Sequence, residues 1–258
     1  MIDTNKLKKI KESTNLYHIY REGEYLYMIR CGDYKNEIEK TKRLHEKGVN
    51  FAGPISQMKI GGDQVVVEEY FAKGTTFEKI KDEYKFHSSL DSDQILEEYE
   101  LFFSTYLEEI RVRAEANQKM YDKLFNDIIE MNRENLTIDT CSLGNLFFDK
   151  TVGFSIIDAY PGNIMPDIKQ LFWMIIGNIP SLICTDNNQE ISNSVPQKYF
   201  DIFLTYISMI KNKLIMAMQR VKVNINYDDL QVNTNVVTDD IINKLIEMEK
   251  ETRIRIHI

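Results

Sequence analysis

The sequence predicts an α+β fold with two lobes, a small β-rich N-lobe that contains one helix and a larger, mostly helical C-lobe. Two observations lead to this prediction. Residues 16–71 contain four runs in which apolar and polar residues alternate, which is the pattern of half-buried strands. Residues 75–143 contain no glycine and no proline, and the absence of these breakers favours helices. The N-lobe is therefore expected over 1–72 and the C-lobe over 73–258.

The N-lobe pattern is that of two β-hairpins with a helix between them. Strands are predicted over 16–21, 25–30, 55–60 and 64–71, and glycine-containing turns join them in pairs. Asp33 precedes a helical pattern over 34–47, and Gly48 follows it at the position where helices commonly end.

The C-lobe consists mainly of helical patterns. Residues 75–78 and 91–94 have the spacing of capping boxes, which mark the starts of helices. Helices are predicted over 95–110, 120–131, 167–176, 196–223 and 238–251, with a short edge strand over 253–258. The apolar stripes of these helices are expected to pack in the core.

The composition is that of an ordinary globular protein, since 43% of the 258 residues are hydrophobic and 28% are charged. The net charge of −8 argues against a nucleic-acid partner, because such binding depends on Lys and Arg side chains at phosphates. The longest apolar stretch, 171–184, contains Pro180 and is too short to span a bilayer. With three cysteines, no CxxC spacing and no visible secretory signal, we expect a reduced, cytoplasmic protein, or one exported by another route.

The stretch NLFFDKTVGFSIIDAY (145–160) has the pattern of two apolar strands around a turn, with Asn145 before the first strand and Asp158 after the second. If these two residues lie opposite each other, the loop consists of residues 150–153. Opposed residues point to the same face of a hairpin, so an amide oxygen and a carboxylate would converge. Such oxygen ligands suit Mg²⁺. The alternative is a hairpin whose polar ends face solvent.

The order of elements resembles the protein kinase-like fold, and within it the aminoglycoside and choline phosphotransferase branch. The segment TNLYHIYREGEYLYMIR (14–30) is similar to the first strands of that branch, and the resemblance implies that Arg30 grips the phosphates of ATP. The segment NEIEKTKRLHEKGVNFAGPI (36–55) is similar to the helix whose Glu pairs with that basic residue, which implies an ion pair between Arg30 and Glu37. The alternative is a charge at a strand end and a charge on a helix face that never meet.

The segment VVVEEYFAKGTTFEKI (65–80) resembles the hinge between the two lobes. The resemblance implies that backbone groups of Glu69, Tyr70 and Phe71 bond the adenine.

The hairpin at 145–160 resembles the metal-binding segment of the same fold. The resemblance implies that Asn145 and Asp158 hold Mg²⁺, and that Asp167 opens the next helix and braces the catalytic loop. Phosphoryl transfer requires mainly that the reactants are positioned and that the phosphate charge is neutralised. A basic side chain at the phosphates and Mg²⁺ can supply both.

The catalytic loop departs from the pattern of the family. LTIDTCSLGN contains no histidine, and the position five residues before Asn145, where the catalytic Asp is expected, is Thr140. Asp139 is one residue further away, and we expect a one-residue bulge to place it as the catalytic base. The alternative is that Asp139 only caps or braces the loop. A glycine-rich loop is also missing, since Glu12-Ser-Thr-Asn15 stands in its place.

The functional hypothesis is an ATP- and Mg²⁺-dependent phosphotransferase that acts on a hydroxyl group of a small molecule or of a protein. A small cationic alcohol would fit the acidic composition. The alternative is a pseudokinase, in which the same fold binds or regulates a protein partner without catalysis. A hydrolase has little support, because GxSxG and HExxH motifs are missing.

Overall fold

The structure is a computed structural model, and it describes residues 8–13, 17–22, 25–62, 64–70, 72–83, 92–166, 168–177 and 189–224. Its strands are β1 (Lys8–Ser13), β2 (Tyr17–Glu22), β3 (Tyr25–Cys31), β4 (Pro54–Gly61), β5 (Gln64–Tyr70), β6 (Leu136–Ile138), β7 (Leu146–Asp149), β8 (Gly153–Ile156) and β9 (Ala159–Pro161). Its helices are α1 (Lys35–Glu46), α2 (Phe77–Glu83), α3 (Ser92–Glu115), α4 (Gln118–Arg133), α5 (Ile168–Ile176) and α6 (Gln189–Asn224). This is a bilobal α+β architecture, as predicted.

The N-lobe is an antiparallel sheet with the strand order β1-β2-β3-β5-β4, and α1 connects β3 to β4. The four predicted strands and the predicted helix are confirmed within one or two residues. Strand β1 was not predicted, because its sequence KKIKES contains a single apolar residue and therefore no alternation.

Alternation along β5 separates two sets of side chains. Met28 of β3 pairs with Val67 of β5, and Arg30 pairs with Val65. Because side chains alternate along a strand, Glu69 shares a sheet face with Val65 and Val67, and this is also the face of Met28 and Arg30. Glu68 points to the opposite face, where its carboxylate accepts hydrogen bonds from Tyr27 and Ser56.

The loop after α1 is attached to the C-lobe. The Asn50 amide donates to the buried Asp127 carboxylate of α4 (3.2 Å), and Lys123 lies 2.8 Å from the same carboxylate. Arg43 of α1 forms an ion pair with Glu134 at the end of α4, with Nε and Oε2 2.8 Å apart. These contacts fix the position of α1 relative to the C-lobe.

The C-lobe core lies between α3, α4, α5 and α6. Its fully buried side chains include Ile110, Tyr121, Phe125, Leu171, Phe172, Ile207, Ile210 and Leu214. Where the structure describes their side chains, the predicted apolar stripes of these helices are buried or half-buried in this core, as expected.

The β7–β8 hairpin differs from the predicted register by one residue. Phe147 pairs with Ser155 and Asp149 with Gly153, so the loop has three residues, 150–152, and not four. The reason is local: the Asp149 carboxylate accepts hydrogen bonds from the amides of Thr151 (2.7 Å) and Val152 (2.9 Å), and Gly153 closes the turn with a φ of 92°.

The hairpin is held against both lobes. The Ala52 amide donates to the Ile156 carbonyl (2.8 Å), and Thr75 and Phe148 exchange two backbone hydrogen bonds of 3.0 Å. Gly74 allows this close approach, because its φ is 104° and a Cβ there would lie 2.0 Å from the Phe148 carbonyl oxygen.

A short ladder of β6 and β9 was not predicted. It pairs Ile138 with Ala159, and beyond its end the Asp139 amide donates to the Asp158 carbonyl at 3.2 Å. Asp139 and Asp158 are thus brought side by side.

Several predictions concern residues outside the described parts of the chain. These are Phe71, Asp167, the helix over 238–251 and the strand over 253–258. Of the helices that the structure describes, none combines the length and the apolar character needed to cross a membrane.

Candidate functional site

A cavity of about 280 Å³ lies between the two lobes. Arg30, Glu37 and Glu69 line it from the N-lobe, and Asn145 and Asp158 line it from the hairpin segment. Tyr70 lines it as well, so the structure brings six of the predicted site residues to one place.

Arg30 lies near the end of β3, and its guanidinium is directed towards Glu69. The Nη2 atom of Arg30 is 3.7 Å from Oε1 of Glu69, and Cζ lies 5.8 Å from the ring centre of Tyr34. The expected ion pair with Glu37 is not the one formed here, because Arg30 and Glu69 project from the same face of the sheet. Glu37 lines the same cavity, and its pair with Arg30 stays a prediction for the nucleotide-bound protein.

The Glu69 carboxyl is unusual because only 13% of its side chain is exposed. The pKa of this carboxyl is raised to about 7, because the effect of burial exceeds the lowering by the Arg30 charge and the Asp158 charge adds a smaller increase. At 3.7 Å the contact with Arg30 is longer than a hydrogen bond, so its attraction offsets only part of the desolvation.

Glu69 should make the folded protein less stable as the pH rises. Its pKa is about 7 in the folded state against 4.5 as the ordinary value, so folding favours the protonated form. The cost of the buried charge is absent below pH 4.5 and fully present above pH 7, where it amounts to roughly 3 kcal/mol. Urea unfolding at pH 5.5 and pH 8 should therefore show a smaller pH dependence in Glu69→Gln than in the parent.

The matched control for this experiment is Glu68→Gln, which removes the same charge from the opposite face of β5. An equal flattening in both variants, or none in Glu69→Gln, would contradict the prediction.

Asn145 is buried, and its polar atoms are used in different ways. Its Nδ2 donates to the Asp139 carbonyl (3.1 Å), and its backbone carbonyl accepts from the Ile157 amide (3.1 Å). Oδ1 is therefore the side-chain atom that remains to accept a bond from, or coordinate, a ligand in the cavity.

Asp158 follows β8 and lines the cavity. Partial desolvation of its carboxyl raises its pKa, the Ala159 amide lowers it, the Asp139 charge raises it, and the Arg30 charge lowers it. Two neighbouring carboxylates with one nearby guanidinium leave negative charge uncompensated, which favours a cation between them.

Asp139 and Thr140 have local partners. The Cys141 amide donates to Oδ1 of Asp139 (2.9 Å), and Oγ1 of Thr140 donates to Oε1 of Gln170 (2.6 Å). The bracing role of Asp139 is thus present. Its role as the catalytic base stays a prediction.

The cavity lining suits a metal-bound anion better than a free one. Its charged members are three carboxylates and one guanidinium, those of Glu37, Glu69, Asp158 and Arg30. A bare polyphosphate would be repelled by this lining, whereas one that carries Mg²⁺ would bring positive charge to Asp158 and to Oδ1 of Asn145. Within the described residues, no group of three or more His, Cys, Asp or Glu side chains is arranged to hold a metal, so phosphate oxygens and water would complete the coordination.

Thr41 belongs to the cavity wall but was not predicted from the sequence. Its side chain is fully buried, and its Oγ1 has no hydrogen-bond partner. It lies one helical turn after Glu37, so the helical period of α1 was a signal that both residues point towards the same side. A buried hydroxyl without a partner costs free energy relative to one that is hydrogen-bonded.

The sheet order, the helix between β3 and β4 and the cavity between the lobes define a bilobal α+β protein. No protein-family model matches the chain, and no curated protein matches it. Among solved structures, it is similar to one described as "Structure of vaccinia related kinase 3". That similarity has a TM-score of 0.42 and 10% sequence identity, and it covers 84% of this chain and 87% of the other. At these values it carries no argument about activity, ligands or substrate.

Proposed function

We propose that the protein is an ATP- and Mg²⁺-dependent phosphotransferase that acts on a hydroxyl acceptor. The observation that carries the proposal is the composition of one cavity, whose wall contains Arg30 from the N-lobe sheet together with Asn145 and Asp158 from the hairpin. A cationic side chain and a pair of oxygen ligands around one space are what a metal-bound polyphosphate requires.

Each residue has a distinct role in this proposal. Arg30 binds phosphate oxygens, and Asp158 together with Oδ1 of Asn145 holds Mg²⁺. Backbone groups near Glu69 and Tyr70 bind the adenine. When bound, Mg²⁺ supplies positive charge that neutralises the phosphates during transfer.

Asp139 completes the proposed set. Its carboxylate accepts the proton of the acceptor hydroxyl, which requires an oxygen within about 2.6–3.2 Å of that group. The acceptor is a small alcohol or a protein side chain, and the acidic composition favours a small cationic alcohol, as in the aminoglycoside and choline phosphotransferase branch. The proposal places the reaction in the cytoplasm.

Titration calorimetry with a non-hydrolysable ATP analogue tests the binding step. The parent should bind the analogue with Mg²⁺ and bind it far more weakly with EDTA, because the carboxylates of the lining repel a bare polyphosphate. Asp158→Asn should lose most of the Mg²⁺-dependent affinity.

The matched control is Asp149→Asn, the same substitution at a nearby carboxylate of the β7–β8 hairpin. This carboxylate accepts a hydrogen bond from the Thr151 amide in the loop. This variant should retain the parent affinity. No binding in the parent at millimolar analogue, or equal binding with EDTA, would contradict the proposed function.

A second function, that of a pseudokinase, is favoured by one observation. The Asp139 carboxylate already accepts a hydrogen bond from the Cys141 amide, so it braces the loop in which a catalytic base is expected. A pseudokinase would bind the nucleotide and regulate a protein partner, but purified protein would consume no ATP with any acceptor.

A further inference from the structure

The contact between Arg30 and Glu69 suggests a role for the Glu69 side chain. We propose that Glu69 is a positioning residue that holds Arg30 before the nucleotide binds and competes with the incoming phosphates for its guanidinium. This inference rests on the proposed function, because it assigns Arg30 to the phosphates.

The geometry supports competition rather than a permanent ion pair. Nη2 of Arg30 lies 3.7 Å from Oε1 of Glu69, which is an ion pair without a close hydrogen bond at these atoms. The Arg30 side chain keeps 32% of its surface exposed, whereas Glu69 keeps 13%. The same Nη2 donates to Sδ of Met28 (3.4 Å), a weak acceptor, so neither of these two contacts is as strong as a close charge-assisted hydrogen bond.

The charges around the cavity indicate whether Arg30 binds Glu69 or phosphate oxygens more strongly. Glu69 also feels the negative charge of Asp158 across the same cavity. Phosphate oxygens offer Arg30 a bidentate partner, which a planar guanidinium binds more strongly than a single distant carboxylate oxygen. Entry of a metal-bound polyphosphate would therefore draw Arg30 away from Glu69, and the lost contact would reduce the observed affinity.

The test is a double-mutant cycle on the affinity for the Mg²⁺-bound ATP analogue. Glu69→Gln keeps the shape of the side chain and removes its charge, so at pH 8, where Glu69 is ionised, the analogue should bind about tenfold more tightly than to the parent. In an Arg30→Met background the same substitution should change the affinity less than threefold, because the competition acts through Arg30.

Glu68→Gln is the control, since its carboxylate lies on the opposite face of β5 and bonds Tyr27 and Ser56. It should leave the affinity at the parent value. Equal gains in Glu68→Gln and Glu69→Gln would mean that general charge, and not the contact with Arg30, sets the affinity, and this would overturn the inference.

The possible outcomes separate the inference from the proposed function. If the parent binds and Glu69→Gln shows no gain, or shows the same gain without Arg30, the inference is wrong and the proposed function stands. If only Glu69→Gln binds, the inference is supported and the proposed function of the natural chain is not. If neither binds at millimolar analogue, both are wrong. Arg30→Met and the double variant could both bind too weakly to measure. In that case a tenfold gain in the single variant Glu69→Gln supports the inference, and no gain overturns it.

Discussion

Replacing Arg113 with methionine should lower the free energy of unfolding by about 3 kcal/mol, the largest stability effect that we expect from a single substitution outside the cavity. Arg113 lies on α3 and is completely buried. Burial of a cation is costly, and desolvation accordingly lowers the pKa of its guanidinium. The buried cation is tolerated because the N–H groups of its guanidinium donate hydrogen bonds.

The contacts of Arg113 connect three parts of the C-lobe. Its Nε donates to Glu109 (2.9 Å), its Nη2 to the Thr75 carbonyl (3.0 Å) and its Nη1 to the Ile175 carbonyl (3.1 Å). The guanidinium also lies over the ring of Phe77, 4.2 Å from its centre. Methionine would fill much of the space but would take the donor from the Ile175 carbonyl and the cationic partner from Glu109, whereas the Thr75 carbonyl would keep its bond from the Phe148 amide.

Arg111 offers a matched control on the same helix. It is partly exposed, and within the described part of the chain its ion-pair partners are Glu108 and Glu115 of the same helix. Arg111→Met should therefore cost less than about 1 kcal/mol. Chemical denaturation of both variants measures the difference, and equal losses in the two would contradict a special role for the buried arginine.

Local patterns were sufficient to predict most of the N-lobe. Strands β2, β3, β4 and β5 alternate in their own sequences, and α1 carries a helical period that ends at Gly48. Each of these signals is contained in about ten consecutive residues, so no knowledge of distant contacts was required.

The hairpin at 145–160 was predicted as an element but not in its register. The choice between a three- and a four-residue loop depends on hydrogen bonds from backbone amides to the Asp149 side chain, and both lengths are common in proteins. The β6–β9 ladder was missed for another reason. Its strands have three residues each and pair at long range, so neither strand shows a periodic pattern.

The partner of Arg30 illustrates a limit of reasoning from a resemblance. Glu37 was expected from its place in the following helix, whereas the closer carboxylate is that of Glu69 on a neighbouring strand. The alternation of β5 does assign Glu69 to one sheet face, but only the pairing of Met28 with Val67 shows that Arg30 shares it. Sequence periodicity shows which residues of one strand share a sheet face. The register between two strands is needed to show which residues of both strands share it.

Asp139→Asn should reduce turnover by roughly 10²–10⁴-fold while preserving nucleotide affinity, if Asp139 is the catalytic base. Asparagine has nearly the same shape and can still accept the hydrogen bond that Oδ1 now receives from the Cys141 amide at 2.9 Å. The backbone bonds of residue 139 to Asn145 and Asp158 would also remain. The substitution thus removes the negative charge but keeps the hydrogen bond that stabilises the loop.

Comparison with Asp139→Ala separates the two roles of this residue. A base is lost in both variants, so both should show the large fall in turnover. A brace is lost only in Asp139→Ala, so a purely structural role would leave Asp139→Asn close to the parent. Turnover is measured as Mg²⁺-dependent formation of ADP with a panel of hydroxyl acceptors, and calorimetry gives the nucleotide affinity of each variant.

Thr140→Val provides the remaining comparison, because Thr140 occupies the position five residues before Asn145. Its hydroxyl donates to Gln170 and carries no negative charge, so it is a poorer proton acceptor than a carboxylate. We expect Thr140→Val to retain most of the turnover. Normal turnover in Asp139→Asn together with its loss in Thr140→Val would show that Thr140 faces the acceptor, and a parent that consumes no ATP with any acceptor would establish the pseudokinase in place of the enzyme.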